Sequence, residues 1–303
     1  MELFSACLTS RDGQEVWKLS RYLSEAFAPL HTASGADALE WDIDAKHGRI
    51  RCLELSDKGT SPLSRHEIIR HAADGLANYI LHELEPGLLR SVLRKESGYT
   101  EADELEKLEK ICRQLLYGEK EKPTPVQDEQ LADWMRRHSK ITEELQMFMK
   151  DSPFIHVQGF VAFRLSLYWR MLKETVEYAV DEYIMEKQYQ DFISLLRYFV
   201  GLQDTKTTVV HLFQLDDGQF QLCNYQLRPL EYKHSDRIVA EMLEAEMNVE
   251  DRVVSSLIAA SPRQIVIHSK LHDQQVIRTI QSIFGDRVML CASCVSCQAF
   301  YEV

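Results

Sequence analysis

Three cysteines close to the end of the sequence, Cys291, Cys294 and Cys297, form a Cys-x2-Cys-x2-Cys run. Thiolates at that spacing can converge on one ion, because two intervening residues let the chain turn and bring successive sulfurs within bonding reach. A zinc ion or an iron–sulfur cluster held there needs a fourth ligand, and neither a further cysteine nor a Cys-Pro ends the run. Cys223, His268 and His272 are the residues that could complete the set from elsewhere in the fold. The competing reading makes Cys291 the end of a buried strand and leaves Cys294 and Cys297 as ordinary, oxidation-prone thiols of a turn. A metal- or redox-sensing protein is therefore one function this sequence supports, although no cofactor is required by its other features.

Other spacings carry less. His66 and His71 in HEIIRH suggest a metalloprotease helix, but they stand five residues apart, about 140° around a helix, and cannot chelate together. Both read as surface histidines. No G-x-x-x-x-G-K-[ST] or G-x-G-x-x-G occurs, and Ser269 with Lys270 before a helix could hold an anion but reads as ordinary capping. A hydrolase or nucleotide enzyme in this part of the chain would need a polar pocket at the strand ends near Ser269. Asp181, Glu182 and Glu186 read as a solvated helix face, and Arg164 and Arg170 as stacked or ion-paired side chains. Spacing assembles no Ser/His/Asp set, which disfavours an enzyme without deciding the point.

The chain of 303 residues carries 47 acidic against 35 basic residues, a net charge of −12, which argues against a phosphate-backbone binder. Hydrophobic residues make up 45% of it, enough for a substantial core. No basic segment followed by an apolar one opens the sequence, and no long uncharged apolar run follows, so the expectation is a soluble cytoplasmic protein without stable membrane insertion. Seven cysteines, four of them scattered singly at 7, 52, 112 and 223, read as small buried hydrophobes rather than a disulfide framework.

The elements that must position the cysteine tail follow from periodicity. Glu2 to Leu8 reads as a strand, and Asp12 opens a helix with Val16, Leu19, Leu23 and Phe27 on one face and Pro29 beyond its end. Leu39 to Asp44 and Arg49 to Leu55 read as a hairpin. From Ser64 the period is helical up to Pro86, a short helix covers Leu88 to Arg94, and another covers Leu105 to Leu116. GEKEKPTPV, Gly118 to Val126, is the clearest linker, and a helix from Leu131 to Phe148 follows it. Phe154 to Val200 then carries the longest helical pattern. Its seam of Val161, Leu165, Tyr168, Leu172, Val176, Ala179 and Tyr183 is widened by Phe160, Phe163, Leu167, Met171 and Val180. Arg170 with Glu174 and Lys173 with Glu177 form surface pairs, and a second register from Tyr189 to Phe199 either continues the helix or turns near Gln188. Beyond Gly201 come a hairpin with Asp217-Gly218 at its turn, a helix capped by Ser235 or Asp236 and running through Leu243, and another from Val249 to Ala259. Gln264 to His268, Asp273 to Phe284 and Arg287 to Cys291 read as a parallel strand–helix–strand unit.

Within the central stretch, FRL at Phe163 to Leu165, AVDEY at Ala179 to Tyr183, EKQYQDFI at Glu186 to Ile193 and LLRYFV at Leu195 to Val200 resemble the YtxC-like family of sporulation-associated proteins. Weaker likeness runs to TIQSIFGDRV, Thr279 to Val288, while the first 60 residues match in pattern alone. The resemblance implies a cytosolic protein of endospore-forming Firmicutes, acting through contacts with a protein partner, and it brings no catalytic or ligand residues with it. The architecture expected is α+β and helix-dominated. A small α+β unit over residues 1–60 precedes a helical segment over 61–122, a helical core with the long central helix over 123–203, and a C-terminal α/β portion over 204–303.

Overall fold

Phe4, Ser5 and Ala6 are buried one after another, the signature of a strand covered on both faces, and they form the middle of β1 (Glu2–Cys7). Beside it lies the expected hairpin of β2 (Leu39–Asp44) and β3 (Arg49–Glu54), antiparallel to each other, with Ile50 and Cys52 pointing into the core. The computed structural model describes residues 1–10, 13–34, 39–54, 64–118, 126–215, 219–230, 249–269 and 273–291, together with Cys294 and Cys297. The chain divides into two compact units, Met1–Ile184 and Met185–Val303. It is a helix-dominated α+β protein, as its periodicities predict.

In the first unit the sheet runs β2-β3-β1-β4, where β4 (Phe154–His156) is parallel to β1. These three residues were expected to begin the long helix. They are a strand because β1 has a free edge there, and the Ser5 N–H donates to the Pro153 carbonyl at 2.8 Å. His156 ends β4 and caps the next helix, its Nδ1 accepting from the Gly159 N–H at 3.0 Å.

The long helix itself is two. α6 (Val157–Arg164) and α7 (Ser166–Leu202) are separated at Leu165, whose φ of −90° and ψ of 48° leave the helical region. The break frees the Val161 carbonyl, and the indole of Trp169 donates to it at 2.9 Å. No corner follows near Gln188. Every residue of the predicted seam from Val161 to Tyr183 is buried. Of the flanking residues only Phe160 is buried: Met171 and Val180 are half-buried, Phe163 is 87% exposed and Leu167 is exposed as well. Lys173 reaches Glu96 at 2.9 Å rather than Glu177, because a neighbouring helix supplies a better-placed carboxylate.

Two prolines were misjudged. α1 (Gly13–Ser34) runs through Pro29, where both Pro29 and Glu25 are exposed, so water can take the carbonyl that proline leaves without a donor. α2 (Arg65–Tyr79) starts with a reciprocal capping box between Ser64 and Glu67, then widens into a π turn at Ile80–Leu84 and continues directly as α3 (Glu85–Glu96). Pro86 falls directly after the π turn, at the second residue of α3, and the helix runs on past it. α1 and α2 approach closely at Gly75, where an added Cβ would meet the Tyr22 carbonyl at 3.0 Å.

The π turn delivers Glu85 to the interior. Its carboxylate is fully buried and accepts from the Tyr117 hydroxyl at 2.6 Å and the Tyr168 hydroxyl at 2.8 Å, tying α3 to α4 (Ala102–Tyr117) and to α7. Arg137 of α5 (Val126–Asp151) lies buried 3.5 Å from the same carboxylate, an ion pair without hydrogen-bond geometry. Burial, with the Glu85 charge beside it, pushes the Tyr168 pKa up and keeps that hydroxyl a donor.

The second unit holds the sheet β6-β5-β7-β8, built from β5 (Thr207–Gln214), β6 (Phe220–Cys223), β7 (Pro262–His268) and β8 (Val288–Cys291). β5 and β6 are an antiparallel hairpin, while β7 is parallel to both β5 and β8. Val210, Leu212, Ile265 and Ile267 alternate onto one face, packed with Leu257 of α8 (Val249–Ala260) and with Ile277, Ile280 and Ile283 of α9 (Gln275–Phe284). The predicted strand–helix–strand unit is thus present. The Asp217-Gly218 turn and the helix expected from Ser235 or Asp236 to Leu243 lie outside the described residues.

Glu85→Ala removes the carboxylate beside the buried Arg137 guanidinium and the acceptor of two tyrosines. It should cost about 3–5 kcal/mol of unfolding free energy, measured by urea titration. Tyr168→Phe, which removes one donor, should cost about 1–3 kcal/mol in the same titration.

Candidate metal centre

β7 and β8 end together. His268 is the last residue of β7 and registers with Cys291, the last residue of β8, so a parallel ladder holds an imidazole beside a thiol at the carboxyl ends of neighbouring strands. Beyond β8 the Cys297 N–H donates to the Cys294 carbonyl at 3.0 Å. Cys297 Sγ lies 3.6 Å from Cys291 Sγ and 3.6 Å from Cys294 Sγ. His268 Nδ1 lies 3.0 Å from Cys297 Sγ and 3.8 Å from Cys294 Sγ. One ligand atom from each of these four residues lies within 4.8 Å of every other.

The imidazole is fixed from behind. Phe213, its register partner on β5, stacks on it with centroids 4.2 Å apart and planes 8° from parallel. His268 Nε2 sits 2.9 Å from Nδ1 of His211, one turn of the pleat earlier on the same face of β5. With Nδ1 as a metal ligand, Nε2 would carry the proton and donate to His211, the second hydrogen bond that orients a metal-ligating histidine. Burial, with His211 adjacent, pushes the His268 pKa down to about 4, and burial also lowers that of His211. Both rings are therefore neutral near pH 7, the form that ligates and accepts. Burial first, and then hydrogen bonds with Cys294 and Cys297, raise Cys291 to about 12 in the metal-free chain. A bound cation reverses that balance and deprotonates a coordinating thiol.

Among the described residues, His268 is the candidate fourth ligand that lies beside the cysteines. Cys223 is buried on β6 opposite His211, two strands away from β7, or roughly 10 Å at the usual strand spacing. His272 lies outside the described residues. Periodicity and spacing missed His211 and Phe213, and the one available signal was a histidine set in the apolar run TTVVHLFQ.

The remaining candidates lie apart from this group. His71 is half-buried rather than on the surface and its Nδ1 donates to the Ala26 carbonyl of α1 at 2.7 Å, while His66 is exposed. Asp181, Glu182 and Glu186 are exposed on α7. Arg164 lies 5.7 Å above the Phe148 ring and Arg170 pairs with Glu174 at 3.8 Å. Ser269 is buried and donates to Gln214, while Lys270 lies outside the described residues. Cys52 and Cys112 are fully buried, with pKa values raised by burial to about 12 and about 11.

The sequence profile of the YtxC-like family matches residues 70–289. A protein named "Uncharacterized protein YtxC" from Bacillus subtilis (strain 168) is 27% identical over 215 residues, covering 70% of this chain and 73% of that protein. No solved structure is significantly similar. No described helix is long and apolar enough to cross a membrane.

His211 touches no thiol in the four-residue group, yet it holds the ring that does. His211→Ala should weaken zinc uptake about 10–100-fold in a chelator competition titration, while His47→Ala in the exposed β2–β3 turn should leave it unchanged.

Proposed function

The chain belongs to the YtxC-like family, and within it we propose a metal-holding role in which His268, Cys291, Cys294 and Cys297 bind one tetrahedral zinc ion. The observation that carries this reading is the mutual spacing of the four donors. Around zinc with Zn–S bonds of about 2.3 Å, the edge between two sulfurs is ~3.8 Å and that between sulfur and imidazole nitrogen ~3.5 Å. The sulfur separations of 3.6 Å and the nitrogen–sulfur separations of 3.0 and 3.8 Å fall around those edges. An iron–sulfur cluster interposes several atoms between its cysteine ligands and spreads them farther, so a single ion is favoured over a cluster.

Three thiolates and one imidazole fill all four positions of zinc with protein donors. Such a closed site suits a structural or sensing role rather than catalysis, which keeps a position open for water or substrate. The ion would fasten the segment after β8 to the ends of β7 and β8, and its loss would return three thiols to the pool open to oxidation. A metal- or redox-responsive fastening of this segment is the activity that the site's chemistry supports.

A second reading concerns the whole chain: a cytoplasmic, sporulation-associated protein that works through contacts with a protein partner. Family membership supports it, together with the large apolar side chains, among them Phe192, Leu195 and Phe199, that α7 leaves exposed. Deleting the gene in an endospore-forming host should lower the yield of heat-resistant spores, and an unchanged yield would count against this role.

The zinc reading is tested on the full chain purified anaerobically with its thiols reduced. Elemental analysis should find one zinc per chain, and cobalt(II) exchange should give intense thiolate charge-transfer bands of a tetrahedral site. Cys294→Ser combined with Cys297→Ser should bring both signals to background. Zinc far below one equivalent in the reduced wild type would overturn the assignment.

A further inference from the structure

α7 changes character along its length. Up to Tyr183 its seam of Tyr168, Leu172, Val176, Ala179 and Tyr183 is sunk in the first unit's core, whereas from Met185 onward it carries two apolar faces. One, through Ile193 and Val200, is buried in the second unit. The other consists of Met185, Phe192, Leu195, Phe199 and Leu202, which are 64%, 55%, 63%, 48% and 68% exposed. Gln188, also exposed, completes the spacing. The steps along 185, 188, 192, 195, 199 and 202 are three, four, three, four and three, the a/d repeat of a coiled coil held through two and a half heptads. All six positions fall in a sector of about 100° on a helix of 3.6 residues per turn.

We propose that this stripe is a homodimer seam, covered in solution by the same stripe of a second copy of the chain. The proposal rests on the contact reading above and names its partner. A repeat of 3.5 residues is what another helix with the same repeat interdigitates with, and a two-fold pair needs one self-complementary patch rather than two different ones. With about 150–250 Å² for each side chain of this size, these exposures make about 600 Å² available per copy. A pair would then bury about 1,200 Å², which reaches the range of stable, specific interfaces. Around the stripe the exposed residues of this part of α7 include Lys187, Gln190, Asp191, Ser194 and Arg197, with Tyr198 as a further exposed aromatic at its edge. Gln188 at a d position is the one polar residue in the seam, a placement that lowers stability while fixing register.

Sedimentation equilibrium on the zinc-loaded full chain should give a dimer at micromolar concentration. Leu195→Glu with Phe199→Glu should raise the dissociation constant at least about 100-fold with an unchanged far-UV circular dichroism spectrum, since both residues are exposed in the monomer. Gln188→Leu should tighten the dimer, which tests the register without breaking anything. A wild type that stays monomeric throughout, or a double variant that dimerises as well as the wild type, overturns the proposal. Should the wild type be monomeric while the glutamate variants fail to restore spore yield, self-association is overturned and the contact reading stands with a different partner.

Discussion

Parallel pairing of β7 with β8 in one register is the constraint from which the candidate site follows. Both strands alternate, so a slip of one residue would turn His268 to the helix-covered face and Ile267 toward the thiols. The register is held by Ile265 and Ile267 on the covered face and by Val276, Ile277, Ile280 and Ile283 of the crossover helix packed with them. Hydrophobic burial on one side of the sheet therefore decides the polar geometry on the other. His211 and Phe213 depend on the same alternation one strand further in, since Leu212 between them belongs to the core.

The two units close their interiors by different means. In the first, a π turn lets α2 run into α3 and places Glu85 where hydroxyls from α4 and α7 and a guanidinium from α5 meet it. Such a buried carboxylate is costly unless its donors are in place, so it specifies how four helices sit together more than it adds to stability. In the second, contacts of sulfur with sulfur and imidazole tie Cys294 and Cys297 to the ends of β7 and β8. A metal ion bound there would add its binding energy to that of folding.

Much of this was legible in the residues. The Cys-x2-Cys-x2-Cys run named three members of the group and offered His268 among three candidates for the fourth, and the seam from Val161 to Tyr183 named the buried face of α6 and α7. What could not be read was anything set by strand order. Cys223 and His268 look equivalent along the chain, and only the order β6-β5-β7-β8 separates them. The same holds for Phe154 to His156, where three residues are too few to show a period and the free edge of β1 decides the conformation. Pro29 and Pro86 stop neither helix: at Pro29 solvent can take the carbonyl left without a donor, and Pro86 sits where the helix has just widened into a π turn. Leu165 kept its place in the seam although the helix breaks there, because its side chain stays buried across the break.

The account stands or falls on whether one ion sits among His268, Cys291, Cys294 and Cys297. Zinc K-edge X-ray absorption on the metal-loaded chain reads that shell directly. The account predicts three sulfur scatterers at about 2.3 Å and one imidazole nitrogen at about 2.0–2.1 Å, with no neighbouring metal. A shell of oxygen and nitrogen alone, fewer than three sulfurs, or a metal–metal vector would contradict it.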